Sequence, residues 1–451
     1  MAQGLIQPRT LKGFRDYPPS VMMPREQIMD IARRVYRRYG FSPIDTPALE
    51  YLEILTGKGS EETDRQLYRF EDHGGRKVGL RFDLTVPLAR FAAQHIQQLG
   101  TPFKRYHIAP VWRGESPQAG RFREFLQCDF DTIGTESVAA DIETALVIHD
   151  LLTEIGITNF VLRINTRQLL NGLLEKHGLQ ERATPVLRAL DKLDKIGAAG
   201  VLQELSETAQ VSVEQSEAIL GLASIHGSVD QVLSQVADLV QGSEKGEAGV
   251  ERLYQITGAL KQLGIAPERY RIDVAIARGL DYYTGVIYET TLTDLPAMGS
   301  VCSGGRYDNL AELYTKQHLP GIGASLGIDR LLAAMEQLGM LPAVHTPAAV
   351  FIPYFDADRL ASYLQLARVL RNEGLGVEVY PDPKKLGAQL KYAVQRGFPV
   401  AVIAGSRELE AGLVQVKDLR TKQASEVPWS VDAPQPLVDL LKNLLGRAES
   451  A

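Results

Sequence analysis

Cysteine is almost absent: the 451-residue chain holds two, Cys128 and Cys302. Two thiols cannot build a disulfide framework, and without a CxxC pair or a Cys/His cluster there is no zinc-binding pattern. A reducing compartment is expected, with no structural metal, and both cysteines read as small packing residues. Long apolar runs are also missing. No stretch of about 18 apolar residues exists to cross a bilayer. The opening MAQGLIQPRTLKGFRDYPP has no apolar core of signal-peptide length. A cytoplasmic protein without a membrane partner is the expectation. Positive charge is not in excess, with 49 Lys and Arg against 55 Asp and Glu. Any nucleic-acid contact must therefore come from a local patch, not a global field.

Several catalytic signatures are absent too. There is no GxxxxGK[ST] phosphate loop, no HExxH zinc motif and no GxSxG elbow. GIGASLG (321–327) is glycine-rich but fails the GxGxxG spacing. A chain that uses ATP without a phosphate loop must grip phosphates with side chains, chiefly arginine.

What is present is a long, ordinary globular composition, 45% hydrophobic and 23% charged, enough for two to four self-sufficient domains. Apolar spacing predicts a helix over 24–39, opened by Pro24 and closed by Gly40. Prolines 43 and 47 require extended chain after it. Strand texture follows at 78–82, 104–112 and 122–133. Strands in succession without intervening helices favour an antiparallel sheet. Ser137 caps a predicted helix ending at Gly156. Helical texture fills 166–263. Strand texture returns at 271–277 and 286–292, and a helix is expected from 327 to 338. After a linker at 342–347, the order AVFIPY, helix, GVEVY, helix, PVAVIAG predicts a small domain with parallel strands.

Three stretches resemble the signature motifs of class II aminoacyl-tRNA synthetases. Residues 33–50, a helix running into YGFSPIDTPALE, resemble motif 1. FKRYHIAPVWRGESPQAGRFREFLQCDFDTIG (103–134) resembles motif 2, with the R-x-E signature at Arg113 and Glu115. GIGASLGIDRLLAAME (321–336) resembles motif 3, with Arg330 near its end. ARGLDYYTGVIYE (277–289) and CSGGRYDNL (302–310) resemble the two histidine-specific signatures of the histidyl-tRNA synthetase family. The resemblance spans nearly the whole chain.

It implies an α/β multidomain protein. An α+β catalytic domain (1–165 and 264–341) would carry a six-stranded antiparallel sheet flanked by helices. A helical insertion (166–263) and a C-terminal α/β anticodon-binding domain (346–451) would follow. Motif 1 implies a homodimer. The implied partners are L-histidine, ATP and tRNA(His), and magnesium is expected with ATP.

Adenylation brings two anions together, so permanent, forked cations suit it. The resemblance assigns Arg113 to the α-phosphate and Arg278 to that phosphate and the histidine carboxylate. Arg121 would hold the γ-phosphate. Arg330 and Phe125 would enclose adenine, and Glu115 would reach its amino group. Asp83 and Thr85, two apart on a predicted strand, and Gln127 match the family's ammonium site. Asp131 and Tyr283 would serve the imidazole, with Tyr282 and Tyr307 lining the pocket. Gln127, Asp129 and Asp131 alternate on one strand and so face one side. Two adjacent carboxylates there require a compensating cation or the substrate. Gly304 and Gly305 permit close backbone approach, or a plain turn. His107 reads as structural.

Many bacterial members carry Glu where Asp83 and Asp131 stand. FLQCDFD and RFDLT look more like the eukaryotic and archaeal branch. The nearest alternative is the catalytically inactive paralogue that regulates ATP phosphoribosyltransferase. It typically lacks the anticodon domain and departs at the catalytic arginine, whereas Arg113, Arg278 and Arg330 are all present here.

Overall fold

The computed structural model describes residues 5–56, 61–117, 120–190, 192–276, 282–341 and 346–446. They divide into two compact units. One runs up to Asp16 and from Arg25 to Met340; the other joins Tyr17–Pro24 to the chain from Leu341 onward.

The first unit is built on an eight-stranded sheet. Its spatial order is Ser42–Pro43, Phe103–Trp112, Glu124–Ile133, Gly321–Gly327, Ser300–Tyr307, Val286–Leu292, Phe160–Thr166 and Tyr270–Ile272. The inner six strands are antiparallel throughout. One short parallel strand extends each edge, so the implied six-stranded sheet is present but not the whole of it. Pro43, which lacks an N–H, sits where a proline is tolerated, on an edge.

Two of the inner strands are the glycine-rich motifs. Glycine normally weakens a strand, and periodicity alone gives no strand at 300–307 or 321–327. The cause lies in the neighbours. A Cβ on Gly321 would stand 2.3 Å from a ring carbon of Tyr307, and one on Gly323 would stand 2.2 Å from a carboxylate oxygen of Asp131. Gly304 and Gly305 likewise lie in a strand, not a turn, and a Cβ on Gly305 would meet the Tyr283 ring at 3.0 Å.

The first helix is Pro19–Arg38, longer than the predicted 24–39, with Pro24 inside it. Its buried Tyr36 donates to the Cys128 carbonyl at 3.0 Å, fixing the helix to the back of the sheet. Helix Val138–Ile155 matches expectation: Ser137 Oγ accepts from the Ala139 N–H, and Gly156 closes it in the left-handed region at φ 94°. One reading is corrected. RFDLT is not a strand that puts Asp83 and Thr85 on one face. The strand ends at Leu80, and Asp83 Oδ1 accepts from the Thr85 and Val86 N–H groups at 3.1 and 2.9 Å, opening helix Thr85–Leu99. A short carboxylate competes well for exposed helix-start donors, and Pro87 costs nothing in a first turn. The strand predicted at 271–277 is also shorter, Tyr270–Ile272.

Between Arg167 and Gln262 the described chain is helical, from Arg167–Lys176 through to Glu244–Gln262, with no strand. The second unit carries a five-stranded sheet. Val377–Val379, Val350–Ile352 and Val400–Ile403 are parallel, as the sequence pattern predicts. Leu413–Asp418 and Ala424–Pro428 continue it antiparallel. Helices Leu360–Asn372 and Gln435–Gly446 supply one core and Leu386–Gln395 the other.

Candidate active site

Strand pairing assembles the site. On Glu124–Ile133, residues Gln127, Asp129 and Asp131 alternate onto one face. Cross-strand register places Gly327, Ser325 and Gly323 beside them on one side. On the other side stand Ala109, His107 and Arg105. The wall is therefore small residues on the left of the carboxylates and a cation on the right.

Arg105 is completely buried. Its Nη2 lies 2.8 Å from Asp131 Oδ2 and 3.9 Å from Asp129 Oδ2, and it donates to the Leu84 carbonyl at 3.2 Å. This is the cation the two aspartates require. Sequence reasoning named the need but not the residue. Pairing KRYHIAPVW with FLQCDFD would have found it, since the register sets Arg105 directly opposite Asp131.

Asp131 also accepts from the Tyr307 hydroxyl at 2.5 Å. Burial pushes both carboxyls up: Asp131 above the usual carboxylate range against the pull of Arg105 and Tyr307, and Asp129 to about 7. Gln127 donates to Ser325 Oγ at 3.0 Å. His107 Nε2 meets Asp45 at 2.9 Å, and burial beside Arg105 and Arg81 holds its imidazole neutral, down to about 4. It is a buried residue of this wall.

Three tyrosines close the opposite side. Tyr282 packs edge-on against Tyr283 and Tyr307, with centroids 5.2 and 5.8 Å apart. Its hydroxyl donates to Asp83 Oδ2 at 3.3 Å, and Thr85 hydrogen-bonds it. Asp83 thus reaches the site from a helix cap instead of a strand. Burial raises its carboxyl, opposed by the Val86 N–H and by Arg113. The hydroxyl of Tyr283 is likewise pushed up by burial.

The arginines form a second cluster. Arg113 donates to the Phe82 carbonyl at 3.2 Å, its guanidinium 4.3 Å from the Phe82 ring centroid and 5.0 Å from that of Phe125. Burial lowers its proton affinity and Asp83 and Glu115 restore part of it. Arg121 is half-exposed, 3.9 Å from Glu115. Arg330, in the first turn of helix Ile328–Gln337, donates to the Ser300 carbonyl. Burial and the nearby Arg121 bring it down to about 10. Its neighbour Asp329 went unnoticed in the sequence. That buried carboxylate takes the Leu126 N–H at 2.9 Å together with Arg15 and Arg25, pinning this helix to the middle strand. Arg278 lies outside the described residues. No three His, Cys, Asp or Glu side chains converge as a metal-binding set among those described.

The geometry is thus a cluster of paired carboxylates, tyrosines and an amide, joined through Asp83 to Arg113 and its neighbours Arg121, Arg330 and Phe125. Such a site can hold a small zwitterion with a polar ring beside a polyphosphate.

Comparison with known proteins points the same way. The family model described as "Histidyl-tRNA synthetase" matches residues 13–331, and one described as "Anticodon binding domain" matches 349–431. A histidine–tRNA ligase of Rhodopirellula baltica is 63% identical over 97% of this chain and 99% of its own. The crystal structure of histidyl-tRNA synthetase from Nostoc sp. PCC 7120 is 35% identical, covers 98% of this chain and 100% of its own, and superposes with a TM-score of 0.87. An ATP phosphoribosyltransferase regulatory subunit/histidyl-tRNA synthetase from Bacillus halodurans is 25% identical, covers 85% of this chain and 96% of its own, with a TM-score of 0.73. Matched over residues 13–331 by a family model, and along nearly its full length by a close relative and a solved structure, the chain belongs to the histidyl-tRNA synthetase family.

Proposed function

We propose that the chain is a histidine–tRNA ligase that activates L-histidine with ATP and transfers it to tRNA(His). The observation that carries this is the pocket of Asp131, Gln127, Asp83 and three tyrosines set beside Arg113, Arg121 and Arg330. A histidine carboxylate oxygen attacks the α-phosphorus of ATP, the new P–O bond replaces the bond to pyrophosphate, and histidyl-adenylate results. The nucleophile is already ionised, so no general base is needed. The chain's task is alignment and neutralisation of developing charge.

In this reading Arg113 and Arg278 bear on the α-phosphate, and Arg121 on the γ-phosphate. Arg330 and Phe125 enclose adenine, with Glu115 at its amino group. Asp83, Thr85 and Gln127 take the histidine ammonium. Asp131 accepts from an imidazole N–H, Tyr283 serves the other nitrogen, and Tyr282 and Tyr307 line the ring. Magnesium would arrive on the phosphates, as it usually does with few protein ligands; no step is assigned to it. In the second step a hydroxyl at the tRNA 3′ end attacks the activated carbonyl and AMP leaves.

The domain reading places catalysis in 1–165 and 264–341, an insertion at 166–263 and anticodon binding at 346–451. Exposed Lys385 and Lys391, on or beside helix Leu386–Gln395, give the last unit local positive charge, while Lys384 next to them pairs with Asp382 at 3.2 Å. Phosphate contacts of that kind make binding fall with salt. A second copy is expected at the motif 1 region. Leu49, Tyr51 and Phe70 are each about half exposed there and present one apolar face, because both Tyr51 and Phe70 pair with Val78. Cytoplasmic residence follows from a tRNA substrate.

The test is charging of tRNA(His) with labelled histidine by the full chain. Histidyl-tRNA should form, and less should form as salt rises. Exchange of pyrophosphate without charging would remove the tRNA assignment. Absence of both activities would favour the regulatory alternative.

A further inference from the structure

We propose that Arg105 is a positioning residue for histidine: its guanidinium favours the ionised form of Asp131 and aims that carboxylate at the imidazole while offsetting the charge of Asp129 beside it. The proposal rests on the reading of Asp131 as the imidazole acceptor.

The geometry carries it. Two carboxylates two residues apart on one face would both be costly in a buried site. Arg105 is the cation between them, and it is placed unequally, 2.8 Å from Asp131 and 3.9 Å from Asp129. Asp131 has a second donor in Tyr307 at 2.5 Å, whereas Asp129 has Ser325. An ionised carboxylate offers about four lone-pair directions. Tyr307 takes one direction on Oδ1, and Oδ2, ion-paired with Arg105 at 2.8 Å, accepts no hydrogen bond from a described residue, so Asp131 keeps capacity for a ring N–H.

Asp129 is the member less well compensated, and its carboxyl stands at about 7, raised by burial and by Asp131. The charged and titratable groups facing the pair are Arg105 and His107 from one strand, Asp83 and Tyr283 from the mouth, and Tyr307 from the other side. Among the described residues the cation in contact with them is Arg105, while Arg113 and Arg81 act on Asp129 from further away.

The site is also unfinished in a telling way. Asp131 Oδ2, Gln127 Oε1 and Asp129 Oδ1 are buried and hydrogen-bond to no described residue. Buried polar atoms are seldom left so, and a polar-ringed ligand is what this cluster lacks. Arg105 touches the ligand only through Asp131, so its role is to fix the charge and direction of that carboxylate.

The experiment measures KM for histidine, KM for ATP and kcat by pyrophosphate exchange on the full chain carrying R105M, R105K, D129N, R105M/D129N and D131A. R105M should raise KM for histidine about 100-fold, the scale on which a buried charge suffers when its partner is removed. KM for ATP should stay within about threefold. The double variant R105M/D129N should recover about tenfold of the loss, because removing one negative charge lessens the need for the cation. A purely structural arginine would show no such rescue.

R105M with near-normal KM for histidine, while D131A raises it, overturns the proposal and leaves the pocket reading standing. D131A with unchanged histidine dependence removes the pocket reading itself. Should R105M not fold, R105K and R105M/D129N carry the comparison. A raised KM for histidine with kcat kept supports the proposal. Equal loss of kcat and of both substrates' affinities in these two variants marks Arg105 as structural and overturns it.

Discussion

Gly323 lies directly across the sheet from Asp131, so close that a Cβ there would stand 2.2 Å from the Asp131 carboxylate oxygen. A glycine strand therefore sets how deep the aspartate sits. The same Cβ would stand 2.3 Å from the Phe130 carbonyl oxygen, so Gly323→Ala must shift the neighbouring strand together with Asp131, by a fraction of an ångström or more. Displacements near 1 Å cost about 100-fold in well-aligned sites. Histidine-dependent exchange should show KM for histidine raised about 10- to 100-fold, with KM for ATP little altered. An alanine variant with wild-type histidine dependence would mean that Asp131 does not meet the ligand.

Arg113 lies against the Phe82 and Phe125 rings with its Nε donating to the Phe82 carbonyl, a bond that does not use the outer, Nη edge of its fork. If that edge neutralises charge developing on the α-phosphate, Arg113→Ala should slow exchange by about 100- to 1,000-fold. Arg113→Lys should recover little, because a point charge does not reproduce a planar fork stacked on rings. Single-turnover adenylate formation measures this, and full activity in the lysine variant would rule out the forked contact.

In the second unit, Asp418 closes the turn between its last two strands. The carboxylate takes the Arg420 guanidinium at 2.7 Å and the Arg420 and Thr421 N–H groups at 2.9 and 3.2 Å. These donors, Arg420 foremost, hold its carboxyl down at about 2. A depressed folded value means the stabilisation is complete above the ordinary range near 4 and is lost only as pH falls from there toward 2. Because Arg420 is partly exposed, about 1 kcal/mol is expected from the pair. Asp418→Ala should lower the thermal midpoint equally at pH 7 and pH 5.5. A difference that already disappears at pH 5.5 would contradict this assignment.

Much of this architecture was legible in the sequence because its signals are local. Ser137 and Gly156 bracket a helix whose bounds the structure reproduces. Alternation in FLQCDFD puts Gln127, Asp129 and Asp131 on one face, as found. The β-α-β-α-β order of the second unit is seen in its three parallel strands. What was missed depends on partners distant in sequence. Arg105 gains its meaning from Asp131 on the next strand, and Asp329 from Leu126, 203 residues away. Gly321–Gly327 became a strand through what presses on it, which no propensity scale contains. Asp83 was misplaced because apolar neighbours in RFDLT imitate a strand, while its carboxylate caps a helix.

The central claim is that this pocket selects histidine and joins it to ATP. ATP–pyrophosphate exchange by the full chain, run in parallel with each of the common amino acids, tests it most directly. Histidine alone should support exchange, since a site of buried polar groups rejects side chains that leave them unpaired by about 10⁴-fold or more. Exchange with another amino acid at comparable efficiency, or none with histidine, would contradict the account.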